Sequence, residues 1–203
     1  MEIKIVENAK NEQCDLLIIN KFEGKKTSVK LIDRFAPESF EGKAGQVFVI
    51  NTQNEYPAKN ILAVGLGKEE DISGNVVREN VAKALKKCKE LSAKTVAISF
   101  DTEFNYGGPA VLGASISNYH FDKYKNKKEH KISTLYLSNV DRALVERAEI
   151  VSDSMKLTRD LANEPAAFAT PSKLAEIASG IEGIETEVFN ETKIEQLGMG
   201  AYL

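Results

Sequence analysis

The run Cys14-Asp15-Leu16-Leu17-Ile18-Ile19 constrains this chain more than any other stretch. Its four consecutive aliphatic side chains leave no polar face. Successive side chains of a strand point to opposite sides, so a strand here must be covered on both. Further strand-like runs lie at 3–6, 46–50, 60–64, 95–100 and 132–137. The turn-rich residues 52–57 separate two of them closely enough for a hairpin. Helical patterns fill the other gaps. Residues 29–35 predict a short helix ended by Pro37. In the next, Val77, Val81, Ala84, Leu85 and Cys88 form a stripe, with Lys83, Lys86, Lys87 and Lys89 off it. Gly107-Gly108-Pro109 opens a third helix through about Lys123. Strands alternating with helices predict a three-layer α/β/α domain, and the hairpin predicts a mixed rather than a purely parallel sheet.

A second constraint falls late in the chain. From Asp141 the apolar residues Leu144, Ala148, Val151 and Met155 recur at helical spacing. Pro165 stops that helix, because it lacks an N–H and biases Glu164 away from helical angles. Thr170 is placed to cap a new helix with Pro171 at its first position, and Leu174, Ala175, Ile177 and Ala178 predict its buried face. A strand at 185–189 follows, then a short helix capped by Asn190 and ending at Gly198. The resulting division is an α/β domain over 1–140, a linker helix over 141–165, and over 166–203 the truncated start of a second α/β domain. One such unit cannot bury both faces of its strand.

The totals exclude several function classes. The 203 residues suffice for one domain and part of another, and 42% hydrophobic with 28% charged residues is ordinary for a soluble globular chain. A net charge of −3 offers no general attraction to nucleic acid or anionic membrane. No apolar run is long enough to span a bilayer, and Met1 to Val6 is too short and acidic to open a signal peptide. Cys14 and Cys88 both sit among apolar neighbours, which predicts buried thiols in a reducing compartment rather than a disulfide. The chain reads as cytoplasmic.

The chemistry-bearing residues are sparse. His120 and His130 are the only histidines, and neither has a Cys, Asp or Glu at a recognised metal-ligand spacing, so a structural role is preferred. Gly65, Gly67 and Lys68 form a glycine-rich turn of the kind that brings backbone N–H groups against phosphate. The third glycine of a dinucleotide loop would fall at Glu70, however, and no Ser or Thr follows Lys68. A tight turn is the preferred reading. Lys123, Lys125, Lys127, Lys128 and Lys131 lie near Tyr119, Phe121 and Tyr124; in an acidic chain they read as a solvated loop rather than a nucleic-acid patch.

Four blocks carry a resemblance. Thr158-Arg159-Asp160-Leu161-Ala162-Asn163-Glu164-Pro165, Thr170-Pro171-Ser172-Lys173-Leu174-Ala175 and Leu197-Gly198-Met199-Gly200-Ala201 resemble, in order and spacing, the start of the catalytic domain of the leucyl (cytosol) aminopeptidases, the M17 metallopeptidases. Tyr119 to Lys125 is similar to that family's Tyr-x-Phe-x-x-Tyr-Lys segment. One departure is Ala167, where the family usually has Asn. The resemblance implies a parent hydrolase that uses two divalent metal ions, zinc or manganese, to release amino-terminal residues such as leucine from peptides, assembled as a homo-hexamer through its catalytic domains. The helix, its stop at Pro165 and the restart at Thr170 predict an interdomain joint of Arg159, Asp160, Asn163, Pro165, Thr170 and Pro171, with pairing across it preferred to an active-site role for Arg159 and Asp160. The family's metal-ligand segment, Asn-Thr-Asp-Ala-Glu-Gly-Arg, has no match here, so no catalytic or metal-binding residue is assigned and the chain alone is expected to be inactive. The family's first domain is macro-domain-like. That leaves two alternatives: a nucleotide or ADP-ribose binding module at Gly65–Lys68, or a purely structural assembly domain.

Overall fold

A computed structural model describes residues 1–102, 105–127, 129 and 131–202. The chain divides into two compact units, Met1–Leu157 and Thr158–Leu203. The first is built on a six-stranded sheet of β1 (Glu2–Ile5), β2 (Leu16–Phe22), β3 (Val47–Asn51), β4 (Asn60–Gly67), β5 (Thr95–Ser99) and β6 (Thr134–Leu137). The spatial order is β1-β6-β5-β2-β4-β3. All neighbours are parallel except the β3/β4 pair. This is the mixed sheet expected, with its antiparallel pair made by the hairpin at 52–59, where Gln53 and Asn54 take positive φ.

Central β2 shows why the aliphatic run mattered. Leu16 and Ile18 enter one core, with Leu62, Val64, Val96 and Ile98, while Leu17 and Ile19 enter the other, with Ile61, Ala63 and Ala97. The first core is covered by α2 (Gly74–Glu90) and α3 (Gly107–Asn118), the second by α1 (Lys30–Phe35). Each fully buried Leu or Ile contributes about 1.5–3 kcal/mol relative to exposure. The α2 stripe at Val77, Val81, Ala84, Leu85 and Cys88 is buried throughout, and Ser73 caps the helix by accepting from the Val76 N–H. Gly113 lets α3 approach α2, since a Cβ there would stand 2.4 Å from the Arg78 carbonyl oxygen.

Three local expectations for this unit need correction. Strand β4 continues past Val64 to Gly67, because β2 stays paired alongside it through an irregularity at Lys21/Phe22. Helix α3 ends at Asn118, not near Lys123. The Asn118 side chain both donates to the Ile132 carbonyl (2.9 Å) and accepts from its N–H (2.8 Å), tying the chain back toward β6. In α4 (Arg142–Asn163) the buried residues are Val145 and Ala148, while Leu144, Val151 and Met155 are 37–44% exposed. Gly107 and Gly108 set this phase: their missing side chains admit Val145 Cγ2 and the Leu144 carbonyl.

The division between the units falls inside α4. In the second unit, Thr170 accepts from the Lys173 N–H and Pro171 opens α5 (Pro171–Ser179); Asn190 likewise caps α6 (Glu191–Gln196). No residue of α5 is buried, and Leu174 is exposed, contrary to the expected apolar face. The strand expected at 185–189 does not form. A strand needs a partner for its outward N–H and C=O groups, and no neighbouring strand is described in this unit.

Candidate functional site

The glycine stretch Gly65 to Lys68 offers no anion site at its glycines. Its amide groups are already used. The Gly65 N–H donates to the Gln46 carbonyl at 2.8 Å and the Gly67 N–H to the Gly42 carbonyl at 2.9 Å. The Gly67 carbonyl accepts from the Glu23 N–H at 3.0 Å. Segment 42–45 lies directly against the strand, and a Cβ on Gly65 would stand 2.1 Å from the Lys43 carbonyl oxygen. An anion cradle needs unpaired N–H groups aimed outward. Gly65 and Gly67 have none to offer, and after Lys68 come Glu69, Glu70 and Asp71, with Glu69 ion-paired to Lys25.

His120 sits between two charged side chains. Its Nδ1 lies 3.0 Å from Glu129 Oε2, and its Nε2 lies 2.7 Å from Lys89 Nζ. An ammonium only donates, so Nε2 accepts and the proton sits on Nδ1, facing the carboxylate. Burial, then the Lys89 charge, hold the imidazole pKa below its ordinary value against Glu129 and Asp122. Asp122 is buried and pairs with Lys131 at 3.1 Å. Burial raises its pKa, but the Lys131 hydrogen bond and charge outweigh that and lower it. Lys125 reaches Glu129 at 3.3 Å, and Lys123 lies 5.4 Å from the centre of the Tyr124 ring. These pairings are those of a structural loop. Lys128 and His130 lie outside the described residues.

The residues of the expected joint follow one another along a helix end and a turn. The Asn163 amide donates to the Arg159 carbonyl at 2.7 Å, and Asp160 lies half-buried on the same helix. The Phe168 and Ala169 N–H groups both donate to the Pro165 carbonyl, closing the turn that leads to Thr170 and Pro171. Among the described residues, no three His, Cys, Asp or Glu side chains converge where a metal ion could be held. No helix among them is long and apolar enough to cross a membrane.

Two features escaped the sequence reading. One is the hydrogen-bond set around Asp15, an acid hidden in an apolar run. The other is a cleft of about 280 Å³ beside β1, lined by Ile3, Tyr119, Lys131, Glu149, Asp153 and Lys156 among others. The 149/153/156 spacing on one helix was its only trace in the sequence.

Comparison with known proteins decides the family. The model of the cytosol aminopeptidase family, N-terminal domain, matches residues 4–128. The chain belongs to the cytosol aminopeptidase family. A "Probable cytosol aminopeptidase" of Clostridium perfringens (strain 13 / Type A) is 31% identical over 224 residues, covering 98% of this chain and 45% of that protein. One of the same name from Alkaliphilus oremlandii (strain OhILAs) is 29% identical, covering 100% of this chain and 47% of that protein. The chain thus spans under half the length of these cytosol aminopeptidases. Among solved structures, a tomato leucine aminopeptidase variant superposes with a TM-score of 0.80 at 22% identity, over 100% of this chain and 47% of that one. The bottromycin maturation enzyme BotP, in complex with Mn, superposes with a TM-score of 0.75 at 19% identity, over 91% of this chain and 40% of that one. At those identities the likeness is one of fold.

Proposed function

We infer that this chain is the amino-terminal, non-catalytic portion of a leucyl aminopeptidase of the cytoplasm. Residues 1–140 are its first domain, 141–165 the joining helix, and 166–203 the opening of the peptidase domain. Arg159, Asp160, Asn163, Pro165, Thr170 and Pro171 form the joint. The observation that carries this reading is the family match over residues 4–128, together with relatives that align with nearly all of the chain yet extend well beyond it.

The reaction of the whole protein is hydrolysis of a peptide bond at a free amino terminus. Two divalent ions, zinc or manganese, held by residues outside this chain would activate the water and polarise the scissile carbonyl. The described residues do not provide a fitting donor set, so no step is assigned to them. The ligands belong to the remainder of the catalytic domain. That remainder is also the first partner of residues 158–203, whose Phe168, Ile184 and Val188 are 57–59% exposed and need cover that this unit does not provide. Assembly is as a homo-hexamer, peptide is the substrate, and neither nucleic acid nor membrane is a partner. Reading the coding sequence past Leu203 tests the proposal. An Asp-, Glu- and Lys-rich metal segment in frame supports it, and an immediate native stop overturns it.

A further inference from the structure

The cleft beside β1 has a charge pattern that selects among ligands. One wall is α4, which presents Glu149, Asp153 and Lys156 along one face. Among the described residues no ion pair engages any of the three. Lys131, its charge shared with Asp122 at 3.1 Å, also lines the cleft, and Ile3 and Tyr119 add apolar surface. The side chains of Glu149, Asp153, Lys131 and Lys156 thus bring both signs of charge to one small concavity, with Met1 and His120 also on its lining.

We propose that this cleft binds a small zwitterion, a free amino acid with an apolar side chain. A phosphate or other simple anion would meet Glu149 and Asp153. A divalent cation would find two carboxylates and no third ligand. A zwitterion satisfies both signs: its ammonium goes to Glu149 and Asp153, its carboxylate to Lys156 and Lys131, and its side chain lies on Ile3 and Tyr119. The volume of about 280 Å³ falls just below the roughly 300–1,000 Å³ of drug-sized ligand sites, which suits a molecule of this class. That such a ligand is at hand rests on the proposed reaction, whose product is a free amino acid. The site would then sense product away from the chemistry.

The test is an amide-resolved NMR titration of the ¹⁵N-labelled 203-residue chain with leucine, N-acetyl-leucine and leucinamide. Leucine is expected to shift the amides of Ile3, Tyr119, Lys131 and residues 149–156. Removing either charge of the ligand, or introducing Asp153→Asn or Lys156→Met, should weaken binding about two- to fivefold, as for exposed ion pairs. Absence of these shifts up to about 50 mM leucine, where even a Kd near 10 mM would be visible, overturns the proposal. Equal binding of all three ligands overturns it as well. The readout involves no hydrolysis, so failure here leaves the aminopeptidase reading to its own tests.

Discussion

Asp15 and Thr95 hold each other reciprocally. The Asp15 N–H donates to Thr95 Oγ1 at 2.9 Å, while the Thr95 N–H and hydroxyl both donate to Asp15 Oδ2 at 3.0 Å. The Lys94 N–H adds a third bond to Oδ2 at 2.9 Å, and Lys59 Nζ reaches Oδ1 at 2.7 Å. One carboxylate therefore fastens together the starts of β2, β4 and β5, the three strands at the centre of the sheet. It also pins their register, in which Leu16 lies opposite both Asn60 and Val96.

Replacing Asp15 by Asn is expected to destabilise the chain by about 2 kcal/mol at pH 7, the scale of hydrogen bonds to a charged group. Burial alone would raise the Asp15 pKa, but the Lys59, Thr95 and Lys94 donors outweigh it and hold the carboxyl well below the usual range. A depressed folded-state pKa gives stability that is full above the unfolded value of about 3.9 and is lost as pH falls below it. Urea unfolding at pH 7 and pH 3 checks this: the gap between native and Asp15→Asn proteins should narrow at the lower pH.

Gly65→Ala should be among the most damaging single substitutions. Its methyl would stand 2.1 Å from the Lys43 carbonyl oxygen and 2.7 Å from two Gly42 backbone atoms, so backbone must move. Overpacking of this kind costs about 1–3 kcal/mol or more. Gly24→Ala makes the control, with open space around its Cβ, although φ of +70° strains any side chain there by about 1 kcal/mol. Urea midpoints should rank Gly65→Ala clearly below Gly24→Ala.

The His120 imidazole should titrate below its ordinary value of about 6.5, because burial and Lys89 oppose its protonation. Its lowered folded-state pKa supplies stability present above the unfolded value and lost as pH falls through the folded one. Proton NMR of the His120 ring checks this directly. Lys89→Met should move the titration upward by removing a like charge 2.7 Å from Nε2.

Both thiols should be inert in the native chain. Burial pushes Cys14 up to about 11 and Cys88 up to about 12, leaving almost no thiolate at pH 8. Ellman's reagent should label neither without denaturant and both in urea. Rapid native-state labelling of either would contradict the packing described.

Much of this architecture was legible because some sequence signals are local and exclusive. Leu16 to Ile19 permitted only a strand buried on both faces, the Val77–Cys88 stripe only one helix phase, and Thr170-Pro171 and Asn190 only helix starts. The misreadings all depended on neighbours. Residues 185–189 have strand-forming composition but no described ladder to join. The phase of α4 was decided by the absent side chains of Gly107 and Gly108 rather than by its own stripe. The tight turn preferred at 65–68 starts later, because Gly65 and Gly67 belong to β4, where the Gly42 carbonyl, far off in sequence, accepts from the Gly67 N–H. The family, by contrast, was carried by motif order across four separate blocks, which no contact needed to establish.

On the proposed function, this chain carries the family's first domain without its chemistry. Hydrolysis of leucine anilide in the presence of manganese or zinc tests it most directly, comparing the purified 203-residue chain with the same chain extended by its downstream coding sequence. Turnover is expected from the extended protein and none from the 203 residues. Turnover that scales with the concentration of the 203-residue chain alone would contradict it.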